Sequence, residues 1–328
     1  PNKLNIEQTS SETTALIKSR LISGNSLLDL TGGFGVDSYY FSKQFKTVIH
    51  CEVNAKLAEI ATHNFTILQA ENVTTKCTDG IEFLKISKEK FDWIYIDPSR
   101  RDIQKNKKFL IEDCSPNIST IQDLVFDHCE NVLIKMSPML DISSTLQTLK
   151  NVSTVYIVAV KNEVKELLFH QEKGIQSEVT INTSNAYFGG TEHFSFKVSQ
   201  EKLAEATLNT PKRYLYEPNA AVMKSGGFKL VSEHYKLDKL DINTHLYTSD
   251  DLIKDFPGKI YKINSTHPYH KKTLKRLIGG QKANLKTRNF PEKIEAIKKY
   301  FKISDGGDNY LFFTCSLEGK IAMQCQLV

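Results

Sequence analysis

Apolar residues along the chain gather into short continuous runs separated by polar segments with a helical repeat. Ser26-Leu27-Leu28-Asp29-Leu30 is the first run, closed by Gly32, Gly33 and Gly35. Residues 47–51, 93–96, 132–135 and 155–160 follow, with a shorter stretch at 74–77. Between them, residues 55–68 place Leu57, Ile60, Ala61, Phe65 and Leu68 three and four apart, which predicts an amphipathic helix. Apolar runs without alternation read as strands covered on both faces, so strands alternating with helices predict a parallel α/β sheet. Residues 178–182 and 194–198, joined through Gly189-Gly190, predict an antiparallel hairpin that finishes this sheet.

The pattern changes after about residue 200. Glu217-Pro218 opens a short predicted helix at 219–224 that Gly226-Gly227 ends. A strand at 283–286, a helix at 291–301 and a strand at 310–315 predict a βαβ unit separate from the first sheet. We expect residues 1–200 as one domain, 201–256 as a small α+β linker domain and 257–328 as a basic domain. A chain of 328 residues is long for a single core, which agrees with this division.

Composition adds exclusions. No run approaches the roughly 20 apolar residues a membrane helix needs, so no membrane partner is expected. Six scattered cysteines without a C-x-x-C pair point to reduced thiols, a cytoplasmic setting and no metal. The chain opens Pro1-Asn2-Lys3 with neither an initiator Met nor an apolar leader, which predicts an excised piece of a longer protein. Charge is uneven. Residues 200–328 hold 22 Lys and Arg against 14 Asp and Glu, whereas the whole chain holds 43 against 38. From Phe256 to Pro291 there is no acid, and Lys271, Lys272, Lys275 and Arg276 cluster within that stretch. Such a stretch attracts polyanions through counterion release, and nucleic acid is its expected partner.

Candidate chemistry lies at the ends of the early strands. Asp29-Leu30-Thr31-Gly32-Gly33-Phe34-Gly35 sits where a strand hands over to a helix, and glycines there let a ligand approach the backbone. The dinucleotide pattern G-x-G-x-x-G is broken, because Ser38 stands at the third glycine position. Glu52 ends the second strand, 23 residues after Asp29, where a carboxylate can accept from both ribose hydroxyls. Asp79-Gly80 follows the third, and Asp97-Pro98-Ser99-Arg100 the fourth. Ligands of open α/β sheets bind beyond the strand C-termini, so the four would share one crevice.

On these residues the chain resembles the class I S-adenosylmethionine-dependent methyltransferases. The resemblance implies a Rossmann-like seven-stranded methyltransferase sheet, mostly parallel with an antiparallel last strand. It implies a cofactor site built from Asp29, Thr31, Gly32, Gly33, Phe34, Gly35, Glu52, Val53, Asp79, Gly80 and Asp97, and catalysis by Asp97, Pro98, Ser99 and Arg100. Ile134-Lys135-Met136-Ser137-Pro138, Tyr216-Glu217-Pro218-Asn219-Ala220 and Arg288-Asn289-Phe290-Pro291 further resemble a bacterial branch with a ferredoxin-like linker and a THUMP-like C-terminal domain.

In related nucleic-acid amino-methyltransferases a second Pro and an aromatic residue follow Asp-Pro, but here Ser99 and Arg100 stand there. Arg100 and Arg101 are expected to stack on a base, clamp a phosphate, or pair with Asp102, Glu112 or Asp113. Lys135 either touches substrate or reaches to the surface. The resulting expectation is methyl transfer to a base nitrogen of RNA (tRNA or rRNA), with substrate held by Arg100, Arg101, Lys135 and the basic cluster. The alternatives are a small-molecule or protein substrate, or a non-catalytic RNA-binding protein with a vestigial cofactor fold.

Overall fold

The computed structural model describes residues 9–100 and 111–328, and the chain divides into two compact units, Pro1–Thr191 and Glu192–Val328. The apolar runs of the first unit form the strands β1 (Gly24–Asp29), β2 (Phe45–Cys51), β3 (Val73–Lys76) and β4 (Phe91–Ile96). A small ribbon follows, β5 (Ser99–Arg100) with β6 (Cys114–Ser115). Then come β7 (Cys129–Met136), β8 (Val152–Val160), β9 (Glu163–Glu172), β10 (Thr180–Tyr187) and β11 (Gly190–Lys197). The main sheet runs β11-β10-β8-β9-β7-β4-β1-β2-β3. Strands β1, β2, β3, β4 and β7 pair in parallel, and their C-terminal ends carry the candidate residues. Leu27, Phe41, Phe45, Val48, Tyr95, Leu133, Val158 and Leu168 are buried together and lock this centre.

The expected seven-stranded sheet is present, and the β10–β11 hairpin adds two strands beyond β8, with β10 running parallel to it. The antiparallel strand that completes the seven-stranded core is β9, inserted between β7 and β8. Lys161 and Asn162, at φ +51° and +64°, form the two-residue turn between β8 and β9.

The second unit holds one seven-stranded sheet. Its strands are β12 (Tyr214–Pro218), β13 (Asp238–Asp241), β14 (Thr244–Ser249), β15 (Gly258–Pro268), β16 (Asn284–Arg288), β17 (Asn309–Ser316) and β18 (Gly319–Leu327), in the order β13-β14-β12-β15-β18-β17-β16. Glu217-Pro218 ends β12 instead of opening a helix, because Asn219 is the cap of Ala220–Ser225 and accepts the Val222 N–H at 2.9 Å. The predicted βαβ unit is present. β16 and β17 are parallel, and the helix Ile294–Phe301 lies between them in sequence. With the helix Lys271–Ile278 it covers one sheet face through Leu274, Ile278, Ile297, Phe301, Leu311 and Phe313.

Candidate active site

The turn after β1 is built by residues that brace it from below. Asp29 is almost fully buried; Oδ1 accepts the Thr31 N–H at 3.0 Å and Oδ2 the Ser38 hydroxyl at 2.6 Å. The role of Ser38 is therefore to hold this carboxylate, with His50 Nδ1 2.9 Å from its Oγ. The His50 ring lies directly under Gly32, where a Cβ would come within 2.0 Å of it. Gly35 has φ +79° and precedes the helix Val36–Phe41; a Cβ there would meet the Phe65 ring at 2.4 Å.

Around this turn the other carboxylates converge. Glu52 Oε2 accepts the Gly33 N–H at 2.8 Å and Oε1 the Asn54 N–H at 2.7 Å. Asp79 caps the helix Gly80–Ile86, accepting the Ile81 N–H at 2.7 Å. The Asp97 N–H donates to Thr31 Oγ1 at 2.6 Å, which ties the end of β4 to the glycine turn. A cavity of about 600 Å3 opens at this edge, a size suited to a small-molecule cofactor. Asp29, Thr31, Gly32, Gly33, Phe34, Glu52, Val53, Asp79, Gly80, Asp97 and Ser99 all line it, whereas Gly35, Pro98 and Lys135 do not. Beside Gly33 a Cβ would meet nothing within 4 Å, so the backbone is open to a ligand there.

Three features went unread in the sequence. Ser115, Pro116 and Asn117 form part of the cavity wall. The helix that follows, Ile118–Phe126, is capped by Asn117, which accepts the Ser119 N–H at 3.1 Å. Below the cavity lies a charge network. Lys18 is fully buried and contacts Glu166 Oε2 at 3.0 Å and Asp37 Oδ1 at 3.2 Å. Lys135 donates to Asp97 Oδ2 at 2.6 Å, which makes its partner a carboxylate of the site itself.

The electrostatics follow from this packing. Burial raises the Asp97 carboxyl above its usual range, although Lys135 pulls it down. Burial acts against the Lys135 charge, but Asp97, Asp37 and Glu166 outweigh it and raise its pKa. Burial also pushes Asp37 up, yet Lys18, Lys135 and the Tyr95 and Ser10 hydroxyls leave its carboxyl below the usual range. Glu166 is raised by burial despite Lys18.

Arg101 and the Arg100 side chain lie outside the described residues, as does Asp102. The basic cluster belongs to the second unit. In the helix Lys271–Ile278, Leu274 and Ile278 face the core while Lys271, Lys272, Lys275 and Arg276 are exposed. Lys271 pairs with Glu292 at 3.0 Å, and the ammoniums of Lys271 and Lys275 sit 5.3 and 5.2 Å from the Tyr300 ring centre.

A sheet with the order β3-β2-β1-β4-β7-β9-β8, an antiparallel β9 and carboxylates at the ends of β1, β2 and β4 defines a class I methyltransferase fold. Family models match residues 214–257 as a ferredoxin-like domain and residues 258–327 as a THUMP-like domain. The two matched stretches share the single sheet of the second unit. A crystal structure described as a putative methyltransferase from Porphyromonas gingivalis W83 superposes with a TM-score of 0.92 at 32% identity. It covers 100% of this chain and 83% of that one. The chain belongs to this family: class I S-adenosylmethionine-dependent methyltransferases with a THUMP-like C-terminal domain.

SMU.1697c of Streptococcus mutans, a putative methyltransferase solved with SAH, is similar over 49% of this chain and 96% of its own, at 16% identity and TM-score 0.36. M. capricolum TrmK, solved with S-adenosylhomocysteine, is similar over 51% of this chain and 70% of its own, at 16% identity and TM-score 0.39. These two partial likenesses add nothing to the assignment. None of the curated proteins matches.

Proposed function

We propose that this chain is an RNA methyltransferase, with S-adenosylmethionine in the crevice beside Gly33 and RNA held by the basic C-terminal region. The crevice itself carries the reading, since residues from four successive strand ends meet around one cavity of cofactor size. Glu52 is suited to the ribose hydroxyls, because each ionised oxygen keeps acceptor capacity beyond the one backbone N–H it receives. Asp79, which lines the cavity together with the apolar Val53 and Ile81, is suited to the adenine amine. Asp29, buried and fully bonded, shapes the turn. The bound cofactor supplies an electrophilic methyl carbon, and this chain's task is then to aim a nucleophile at it and receive a proton. Asp97 lies at the cavity and is the candidate for that work.

The RNA half of the reading is supported by the acid-free stretch from Phe256 to Pro291 and by its exposed lysines on a folded helix. Calorimetry with S-adenosylmethionine and with NAD tests the cofactor half, and only the former should bind. Transfer of a labelled methyl group to RNA tests the other half. Equal binding of NAD, or label absent from RNA, overturns the corresponding part.

A further inference from the structure

Two lysines and three carboxylates are gathered at and beneath the cavity floor, more charge than holding a cofactor requires. Lys18 pairs with Glu166 and Asp37, Lys135 pairs with Asp97, and Ser10 Oγ accepts from both ammoniums, at 3.0 and 3.2 Å. The two halves are thus one network. Ser10, Asp37 and Asp97 line the cavity, the Lys135 ammonium lies just behind Asp97 and Ser10 with its side chain 13% exposed, and Lys18 and Glu166 are sealed beneath. Burying such groups is expensive in desolvation, and apolar residues would hold the sheet at least as well, so the network marks function.

We propose that the atom methylated is a hydroxyl oxygen, the ribose 2′-hydroxyl of the RNA, with the Lys135 ammonium holding that oxygen and Asp97 taking its proton. This rests on the reading that RNA is the substrate, and it replaces the base nitrogen expected from sequence. The sign of the developing charge decides between the two. A nitrogen becomes positive as it bonds to the methyl carbon, and the Lys135 ammonium beside it repels that charge. A hydroxyl oxygen becomes negative as its proton leaves, and the same ammonium stabilises it. Lys135 has three N–H bonds, of which Asp97 and Ser10 take two.

With S-adenosylmethionine bound, the oxygen–carbon bond forms as the carbon–sulfur bond breaks with its electron pair left on sulfur. The hydroxyl proton passes to Asp97. When all five groups are ionised, three carboxylates against two ammoniums leave one negative charge, and that proton neutralises it. The burial-raised Asp97 carboxyl makes it the stronger base for the task. Lys18, Glu166 and Asp37 act as positioning residues that fix Ser10, and through it the Lys135 ammonium.

The experiment incubates the full-length protein with methyl-labelled S-adenosylmethionine and total RNA from cells lacking the gene, then analyses nucleosides by mass spectrometry. Label on the ribose fragment is the expected result. Label on the base overturns the oxygen assignment and leaves the RNA reading standing; label nowhere in the RNA overturns both. A second measurement does not depend on turnover. Lys135→Met should keep cofactor affinity by calorimetry and show a protonated Asp97 carboxyl by infrared spectroscopy at neutral pH, while transfer falls about 100-fold or more. Loss of cofactor affinity with an unchanged carboxyl band would make Lys135 structural and overturn its role.

Discussion

Glu52 Oε2 accepts the backbone N–H of Gly33 at 2.8 Å, so the carboxylate at the end of β2 also fixes the turn after β1. Its other oxygen accepts the Asn54 N–H at 2.7 Å. Two N–H donors thus need two acceptor oxygens, and a glutamine offers only one. Glu52→Gln should leave one donor facing an amide NH2, costing about 1–3 kcal/mol of stability. Calorimetry with S-adenosylhomocysteine should show affinity lowered about tenfold, and thermal unfolding a reduced midpoint. Wild-type affinity in this variant would remove Glu52 from the cofactor site.

Asp79 has two tasks that substitution can separate. As a cap it accepts the Ile81 and Glu82 N–H groups at 2.7 and 3.2 Å. Asparagine caps helices as well as aspartate does, whereas alanine loses about 1 kcal/mol. Asp79→Asn should therefore keep the wild-type unfolding midpoint while weakening S-adenosylmethionine by about tenfold, because the charged acceptor is gone. Asp79→Ala should lose both. If the asparagine variant binds cofactor normally, Asp79 serves the helix alone.

What was legible in the sequence is what local pattern encodes. Strands β1, β2, β4, β7 and β8 are continuous apolar runs, and the carboxylates Asp29, Glu52, Asp79 and Asp97 at the ends of β1, β2, β3 and β4 fall in chain order. The strand β9 was not legible, since Glu163, Lys165 and Glu166 interrupt its apolar residues and its turn, Lys161-Asn162, contains no glycine. Nor was the charge network, because Lys18 and Glu166 are 148 residues apart and only the fold joins them. Lys18 lies in the helix Glu12–Ser19, where a lysine ordinarily reads as solvated. His50 under Gly32 is likewise a tertiary contact, although a histidine on the buried β2 gave a signal that could have been followed.

Within the second unit, Glu217 gives a pH dependence of definite sign. It is buried and accepts from Lys286, from Arg288 at 3.1 Å and from the Tyr261 hydroxyl at 3.1 Å. Burial raises its carboxyl, but Lys286, Arg288 and Tyr261 outweigh this and hold it below the usual 4.5. The folded state then binds fewer protons than the unfolded one as pH falls below about that ordinary value, so stability is lost on acidification. Glu217→Gln should destabilise by about 1–3 kcal/mol at pH 7 and flatten the fall between pH 5 and pH 3, as read by thermal unfolding. Parallel acid limbs in both proteins would show that Glu217 does not carry this dependence.

The basic helix makes a prediction in which its members differ. Lys271 is engaged by Glu292 at 3.0 Å, whereas no carboxylate among the described residues lies within ion-pair distance of Lys272, Lys275 or Arg276. Each phosphate contact contributes about 0.7–0.9 to the slope of log K against log salt. Binding of unfractionated tRNA should fall steeply with salt, and the joint change of Lys271, Lys272, Lys275 and Arg276 to Glu should lower the slope by about 2, the share of three contacts. Lys271→Glu alone should change the slope least, since that ammonium is already neutralised. If the fourfold variant keeps the wild-type slope and affinity, RNA is held elsewhere; if Lys271→Glu alone matches it, the pairing with Glu292 does not persist in solution.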